Sequence, residues 1–234
     1  WDEGFHELAD RIRHAKDPLI MISRPLSGTL ADVVSKFVAS VKGSLYFYDP
    51  SPELALRAAM KQAFDIHDLP AYDLGDADYV LSFGAPFLEQ WLSPVSFGIA
   101  FGRMRQGRKN RRGRFVHVEP RLSLTAASAD RWLPIRPGME GLLARGIGHI
   151  LLSEHRSSLP TGRLHAYESL YGRLSLDEVA KQTDISTADI KRVARAFAEA
   201  DSPQAIGGGT ACAHTNAFET HLAIHGLNAL AGNI

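Results

Sequence analysis

Two glycine turns that follow apolar strands are the parts of this sequence best suited to chemistry. The run Tyr79 to Phe83 leads to Gly84 and Ala85, and the run Gln204 to Ile206 leads to the three glycines Gly207 to Gly209. Glycine lets the backbone approach a ligand closely, and amides at the start of the next helix can point at a phosphate. Each turn predicts a nucleotide-phosphate site, although a tight turn that binds nothing would have the same sequence pattern.

An acidic residue follows a second apolar strand. Glu119 comes directly after the run Phe115 to Val118. At such a position a carboxylate can accept hydrogen bonds from ribose hydroxyls in dinucleotide-binding folds. The alternative is a solvated carboxylate that pairs with Arg121.

A third strand, Trp132 to Ile135, breaks into a turn just before a helix that begins near Glu140. Arg136 supplies a cation, and Gly138 permits a tight turn. The Glu140 carboxylate could recognise guanine by accepting two hydrogen bonds, from its N1 and N2 hydrogens. In and after the second glycine turn, amide, hydroxyl and imidazole groups could join the phosphate site, and these belong to Gly208, Thr210, His214 and Asn216.

The elements that position these residues alternate between helix and strand. Apolar strands at Leu19 to Ile22 and Leu45 to Tyr48 are separated by a helical spacing of apolar residues, and the alternation continues to Leu152. This order predicts an α/β fold: a Rossmann-like, doubly wound, mainly parallel sheet with flanking helices. Because parallel strands end at one edge, Gly84, Glu119, Arg121, Gly138 and Glu140 are expected to meet in one cleft.

A polar stretch after Leu152 marks the predicted domain boundary. We predict a Rossmann-like nucleotide-binding-type domain over residues 1–152, a linker over 153–174, and a helical section over 175–234 that begins a second Rossmann-like, pterin-dinucleotide-type segment. Ser175 is expected to cap a short helix, and Ser186 with Asp189 resembles a capping box.

Composition limits the possible functions. The chain has 234 residues, of which 45% are hydrophobic, and 26 basic residues balance 26 acidic ones, so no overall field favours nucleic acid or an anionic membrane. No apolar run approaches the roughly 20 residues that cross a bilayer. The local basic cluster between 103 and 114 is expected to be a solvated loop or a docking surface for an acidic subunit.

The single cysteine, Cys212, excludes an intrachain disulfide and any CxxC-type metal or iron-sulfur site within these residues. We expect it to be a small buried hydrophobe with no paired base. A metal site made only by this chain is not expected, and no catalytic residue is assigned.

The ordered motifs resemble the molybdopterin oxidoreductase superfamily. The matching stretches are AD-YVLSFGA, a strand ending in EPR, LTAA-AD-WLPIRPG-E, IGGG-----HTN and LNALAGNI. Within that family, EQWLSPV (Glu89 to Val95) and VEPRLSLTAA (Val118 to Ala127) are most similar to the molybdopterin-like subunit of alternative complex III. The resemblance implies a part of a larger molybdopterin-oxidoreductase-like fold, and the start at Trp1 is expected to reflect a piece of a longer protein. The family usually has Asp where Glu119 lies and Thr-Asp where Met139-Glu140 lies.

The resemblance leaves two functions open. Catalytic family members place a metal ligand a few tens of residues before the first strand motif, yet Tyr46 to Asp65 contains no cysteine, and only Asp49 or Ser51 could supply an oxygen. The favoured interpretation is a non-catalytic scaffold with neither metal nor pterin. The alternative is an active enzyme that binds molybdopterin guanine dinucleotide with molybdenum or tungsten. An NAD-dependent dehydrogenase is a distant third, since no GxGxxG follows a strand.

Partners and location also come from the resemblance. It implies iron-sulfur, haem and integral-membrane quinol-binding subunits of a respiratory or photosynthetic quinol-oxidising complex. The chain would lie on the periplasmic side of the cytoplasmic membrane as a peripheral subunit, with no nucleic acid partner and no transmembrane segment of its own.

Overall fold

Within the described part of the chain the strands form two sheets, and every strand pair within each sheet is parallel. The structure, a computed structural model, describes residues 1–48, 53–106, 112–154 and 164–233. Its helices are α1 (Asp2–Arg13), α2 (Gly28–Ser40), α3 (Glu53–Phe64), α4 (Pro94–Gln106), α5 (Leu124–Ala127), α6 (Glu140–Glu154), α7 (Leu164–Tyr171), α8 (Leu176–Thr183), α9 (Thr187–Ala198) and α10 (Ala217–Leu230). Its strands are β1 (Ile20–Ser23), β2 (Ser44–Phe47), β3 (Tyr79–Phe83), β4 (Arg114–Val118), β5 (Arg131–Leu133) and β6 (Pro203–Gly207), and a 3-10 turn covers Gly209–Cys212.

The chain divides into two compact units, Trp1–Ser51 and Pro52–Ile234. The first unit contains α1, α2 and a two-stranded sheet in which β1 pairs with β2. The second unit contains the remaining elements and a four-stranded sheet in the order β5-β4-β3-β6.

The four-stranded sheet of the second unit is covered on both faces. Successive side chains of a strand point to opposite faces, and in β3 Leu81 and Phe83 join one apolar cluster while Val80 joins the other. Residues of α6, α9 and α10 complete the first cluster, and residues of α3 and α4 complete the second. All five residues of β3 are buried, as expected for the central region of a doubly wound sheet.

A side chain caps the outer edge of β6. The amide of Ala205 donates to Oδ1 of Asn228 at 2.7 Å, and Nδ2 of Asn228 donates to the Ala205 carbonyl at 2.8 Å. Asn228 lies on α10 and is buried. It satisfies both backbone groups of Ala205 that a further strand would otherwise pair with.

The structure confirms the α/β fold with parallel strands and flanking helices. Ser175 and Ser186 cap α8 and α9 as predicted, because each side chain accepts the amide hydrogen of the residue three positions later. The expectation of one sheet from Leu19 onward is wrong in one respect, since β1 and β2 form a sheet of their own. The domain division at 153–174 stays a prediction, and part of that linker lies outside the described residues.

Candidate functional site

The two glycine turns predicted as phosphate sites pack against each other. They lie side by side because β3 and β6 are neighbours in register, with Phe83 opposite Gly207. The amide of Gly208 donates to the Phe83 carbonyl at 3.1 Å, and the amide of Thr210 donates to the Gly84 carbonyl at 3.3 Å. The loops after β3 and β6 therefore form one hydrogen-bonded structure.

Close packing of the turns explains why they contain glycine. Gly84 has a φ of 65°, and a Cβ there would lie 2.1 Å from Oγ1 of Thr210. Gly209 has a φ of 50°, and its Cβ would lie 2.4 Å from the Gly84 carbonyl oxygen. A Cβ on Gly208 would overlap the ring of Trp91 at 2.4 Å. The contact between the turns thus requires these glycines whether or not a ligand binds.

Several backbone donors at these turns already have protein acceptors. The Gly84 amide donates to the Val118 carbonyl at 2.8 Å, in addition to the bonds made by the amides of Gly208 and Thr210. The Ala211 amide donates to the Gly208 carbonyl at 3.0 Å. A phosphate bound at these four amides would have to displace backbone acceptors, so they do not form a ready anion site.

Beside the turns lies a buried carboxyl with unused hydrogen-bonding capacity. Glu140, the first residue of α6, is 1% exposed, and within the described part of the chain neither its Oε1 nor Oγ1 of Thr210 has a hydrogen-bond partner. Burial raises the pKa of Glu140, and the nearby His214, the Thr210 hydroxyl and backbone groups oppose this only in part. The Glu140 carboxyl and the Thr210 hydroxyl are therefore adjacent buried polar groups, and each can accept a further hydrogen bond.

The turn before α6 joins the same group of residues. Gly138 has a φ of 79°, and a Cβ there would lie 3.4 Å from the imidazole ring of His214. Nδ2 of Asn216 donates to the Gly138 carbonyl at 2.9 Å. The structure thus links seven of the ten predicted site residues through contacts: Gly84, Gly138, Glu140, Gly208, Thr210, His214 and Asn216.

Glu119 forms a separate group at the same edge of the sheet. Its side chain is 1% exposed; Oε2 lies 3.3 Å from Nε2 of His117, and Oε1 accepts from Nε of the exposed Arg121 at 3.4 Å. Burial alone would raise the pKa of Glu119, but hydrogen bonds from His117 and Ser123 and the charge of Arg121 outweigh it and lower the pKa. The predicted pairing with Arg121 is present, although the carboxylate is buried rather than solvated.

Arg136 and the basic cluster take positions that the sequence did not specify. The Arg136 residue is exposed, and its backbone amide donates to the Thr183 carbonyl at 3.3 Å. In the basic cluster, Arg105 and Arg112 both pair with Asp130, and Arg103 pairs with Asp76 at 2.7 Å. These three arginines neutralise acids of this chain. Arg103 and Arg105 lie on α4 rather than in the predicted solvated loop, and residues 107–111 of the cluster lie outside the described residues.

Sequence reasoning missed a buried partner of Cys212. Its Sγ lies 2.6 Å from Nε2 of His221, although we expected no paired base. Burial raises the pKa of Cys212 to about 12, and burial lowers the pKa of His221 to about 3 and that of His225 to about 4. All three groups are therefore uncharged near pH 7. The HxxxH spacing of His221 and His225 was a signal in the sequence, yet the described residues hold no cluster of three or more His, Cys, Asp or Glu placed to bind a metal.

Comparison with known proteins identifies similar chains. No protein-family profile matches the sequence. The chain is 34% identical over 213 residues, 89% of its length, to a menaquinone reductase, molybdopterin-binding-like subunit of Nitratidesulfovibrio vulgaris, and it covers 30% of that protein. It is 28% identical over its whole length to the probable dimethyl sulfoxide reductase chain YnfF of Escherichia coli, of which it covers 33%.

Two further matches agree with these. An arsenate respiratory reductase molybdopterin-containing subunit of Shewanella is 36% identical over 66% of the chain, which covers 18% of that protein. The acetylene hydratase of Pelobacter acetylenicus has the same fold, with a TM-score of 0.69 over the whole chain and 33% of the hydratase, at 16% identity. The chain thus spans about a third of the length of the first two relatives. Within its described residues, no helix has both the length and the hydropathy to cross a membrane.

Proposed function

Because this chain belongs to the molybdopterin oxidoreductase superfamily, we propose that it is a non-catalytic scaffold of a membrane-bound quinol-oxidising complex similar to alternative complex III. The relatives are molybdopterin-type oxidoreductase subunits, and one of them is named as a molybdopterin-binding-like subunit of a menaquinone reductase. A scaffold of this kind keeps the fold of the family and uses its surface rather than a metal centre.

The main support for this proposal is the contact between the glycine turns that follow β3 and β6. A dinucleotide needs free backbone amides for its phosphates, as found at helix N-termini and glycine-rich loops. Here the amides of Gly84, Gly208 and Thr210 donate to backbone carbonyls, and Thr210 Oγ1 fills the space beside Gly84. At these turns the residues therefore do not fit the phosphates of a pterin dinucleotide.

Exposed apolar side chains support a role in assembly. Val95 and Ile99 on α4 are 76% and 72% exposed, and Leu122 and Leu124 near α5 are 61% and 62% exposed. Such side chains are typical of surfaces that other subunits cover. We propose that iron-sulfur, haem and quinol-binding membrane subunits are the partners and that the chain lies peripherally on the periplasmic side of the cytoplasmic membrane.

Cofactor analysis of the purified native complex tests the scaffold directly. We expect elemental analysis to find molybdenum and tungsten far below one atom per chain, and we expect no fluorescent oxidised pterin on denaturation. Iron and haem measured in the same sample control for loss of cofactors during purification. One molybdenum or tungsten atom per chain, or an equimolar amount of pterin, would refute the scaffold.

A second candidate is an active molybdenum or tungsten enzyme, and one observation favours it. The Glu140 carboxyl and the Thr210 hydroxyl lie buried side by side at the carboxyl edge of the sheet, where a guanine base would need polar groups. The pterin cofactor would supply the metal and its redox chemistry, while Glu140 would accept hydrogen bonds from the guanine N1 and N2 hydrogens.

Guanosine monophosphate binding, followed by calorimetry, separates the two candidates. If the second is correct, Glu140→Gln weakens binding at least tenfold, because the amide cannot accept both guanine hydrogens, whereas Glu219→Gln on the exposed face of α10 leaves it unchanged. Binding should also weaken as the pH falls through the raised pKa of Glu140, since a protonated carboxyl loses an acceptor. No measurable binding by the unmodified chain is the result that the scaffold predicts.

A further inference from the structure

Two histidines are buried one helical turn apart on α10. His221 is 0% exposed and His225 is 3% exposed, and the centroids of their rings lie 6.2 Å apart. Within the described part of the chain, neither Nδ1 of His221 nor Nε2 of His225 has a hydrogen-bond partner. An imidazolium ion donates from both ring nitrogens, so a charged ring at either position would leave a buried N–H group unpaired. The closed fold therefore accepts these two rings only in the neutral form.

The groups that contact the pair offer little to a positive charge. The helix α10 packs against α3, α6, α7, β6 and the 3-10 turn. The turn places the uncharged thiol of Cys212 against Nε2 of His221, and β6 lies so close that a Cβ on Gly207 would be 3.2 Å from Nδ1 of the same ring. The end of α3 packs the ring of Phe64 edge-on to His225, with 5.6 Å between the centroids.

The charged and titratable residues of the packed helices act mainly at other places. They are Glu53, Arg57 and Lys61 on α3, Glu140, Arg145, His149 and Glu154 on α6, and His165, Tyr167, Glu168 and Tyr171 on α7. Arg57 and Lys61 pair with acids that follow α3, Arg145 and His149 bind carbonyls of α7, and Glu154 pairs with Arg195 on α9. Burial is the first cause of the lowered pKa of each buried ring, and for His221 the charge of His225 is the second.

A cavity beside His225 brings water close to the pair. Its volume is about 740 Å³, and it lies between α3, α7 and α10. Phe64, Leu222 and His225 form part of its wall, and the exposed residues Gln62 and His165 line it at the surface. A small separation of α3 from α10 would therefore let water reach both rings.

From these observations we propose that the His221–His225 pair is an acid-sensitive switch, which keeps α3 packed on α10 while both rings are neutral and releases α3 when the rings take up protons. In the released form both imidazolium ions are hydrated, and the apolar side of α3 becomes exposed. That side carries Leu56, Ala59 and Met60, which are buried in the closed form. The closed form binds no proton on the pair and the open form binds two, so the pH sets the balance between the two forms.

The direction of the pH dependence follows from proton binding. In the closed form the pKa is lowered to about 3 for His221 and to about 4 for His225. A hydrated imidazole has a pKa of about 6.5. The open form therefore binds more protons, and the advantage of the closed form is complete above about pH 6.5 and declines as the pH falls towards 4. Protonation of Glu140 has the opposite sign, because its pKa is raised in the closed form.

The size of the response follows from the same values. Between pH 7 and pH 5, the ratio of open to closed form should rise about twentyfold for each histidine, or roughly 400-fold for both. Amide exchange of the 234-residue chain, read by mass spectrometry at these two pH values, tests this. Protection factors correct for the pH dependence of exchange itself. Those of α3 should fall roughly 400-fold, whereas those of β3 and β4 should fall less than tenfold because the sheet stays closed.

Matched variants assign the response to the two rings. The double variant His221→Gln with His225→Gln should lose the response of α3, because glutamine takes up no proton. Each single variant should keep a change of about twentyfold. His67→Gln, at an exposed position after α3, is the control and should respond as the unmodified chain does.

Three results would overturn the switch. Equal protection of α3 at pH 7 and pH 5 would show that the helix is not released. An equal loss in α3, β3 and β4 would show that acid unfolds the whole unit rather than releasing one helix. A response that persists in the double variant would assign the pH dependence to other groups.

A measurement on the unmodified chain keeps the test decisive if the variants do not fold. Hydrogen exchange at Cε1 of the imidazole follows the protonation of each histidine separately. His221 and His225 should titrate with midpoints below about pH 5.5, one unit under the ordinary value, and in step with the loss of protection in α3. Protonation of both rings while α3 keeps its protection would contradict the proposal.

Discussion

The two units of this chain use the same kind of element with very different burial. β3 in the second unit and β1 in the first are both short, apolar, parallel strands, yet every residue of β3 is buried whereas Ile20 and Ile22 of β1 are mostly exposed. β3 has strand neighbours on both sides and helices on both faces, whereas β1 has a single strand neighbour, β2. The difference teaches that a strand pattern in the sequence predicts the strand but not the layer that covers it.

The largest expected effect comes from matched truncations of phenylalanine in the two sheets. Phe83→Ala should lower the free energy of unfolding of the second unit by about 3–5 kcal/mol, because Phe83 is fully buried and leaves a cavity. Phe47→Ala in β2 should cost less than about 1 kcal/mol, since that side chain is 53% exposed. Urea unfolding measures the first change, and amide exchange in β1 and β2 measures the second. Similar costs would show that the first unit has a core of its own.

Removal of the edge cap on β6 should have the next largest effect. Asn228→Leu leaves the buried amide and carbonyl of Ala205 without partners, which should cost about 2–4 kcal/mol at roughly 1–2 kcal/mol for each group. Glu219→Leu adds the same side chain at an exposed position of the same helix and should cost less than about 0.5 kcal/mol. If the two variants unfold at the same urea concentration, the side chain of Asn228 does not stabilise this edge.

The smallest effect concerns ion pairs and pH. Asp130 accepts hydrogen bonds from Arg105, Arg112 and the Phe115 amide. Burial alone would raise the pKa of Asp130, but these bonds outweigh that effect and lower the pKa to about 2. The ionised Asp130 therefore stabilises the fold fully above pH 4, and this stabilisation is lost as the pH falls towards 2. Its size is on the order of 1 kcal/mol after solvent screening. Asp130→Asn should remove this loss from acid titrations of stability.

A surface pair in the first unit is the control for that titration. Glu7 and Arg11 form an i,i+4 pair on α1 with side chains 64% and 77% exposed. Arg11→Ala should change stability by less than about 0.5 kcal/mol and leave the acid dependence of the second unit unaltered. An acid transition that persists in Asp130→Asn would assign the pH dependence to other carboxyl groups.

The sequence predicted the strands and helix caps well because those depend on neighbours in the chain. The run Tyr79 to Phe83 is the strand β3 to the residue, and Ser175 and Ser186 cap their helices through residues three positions away. Parallel order then placed the loops of β3, β4 and β6 at one edge. These inferences need only the local spacing of apolar residues and the rule that parallel strands end at one edge of their sheet.

Contacts between distant elements could not be predicted in the same way. Two such contacts are that of Thr210 with Gly84 and that of Cys212 with His221. Both depend on how tightly the loops pack, and the spacing of residues in the sequence does not encode this. The separate β1–β2 sheet depends on which strands are neighbours, and alternation of elements leaves that choice open. The candidate metal ligands Asp49 and Ser51 lie outside the described residues and stay a prediction.

The neutral Cys212–His221 pair has a practical consequence for labelling. At pH 7 to 8 a thiol whose pKa is about 12 forms almost no thiolate, which is the species that maleimides, iodoacetamide and peroxide attack. Because Cys212 is the only cysteine and is also buried, the chain should behave towards these reagents as though it had no cysteine. A fluorophore or spin label could therefore be attached at a single engineered surface cysteine without first replacing the native one.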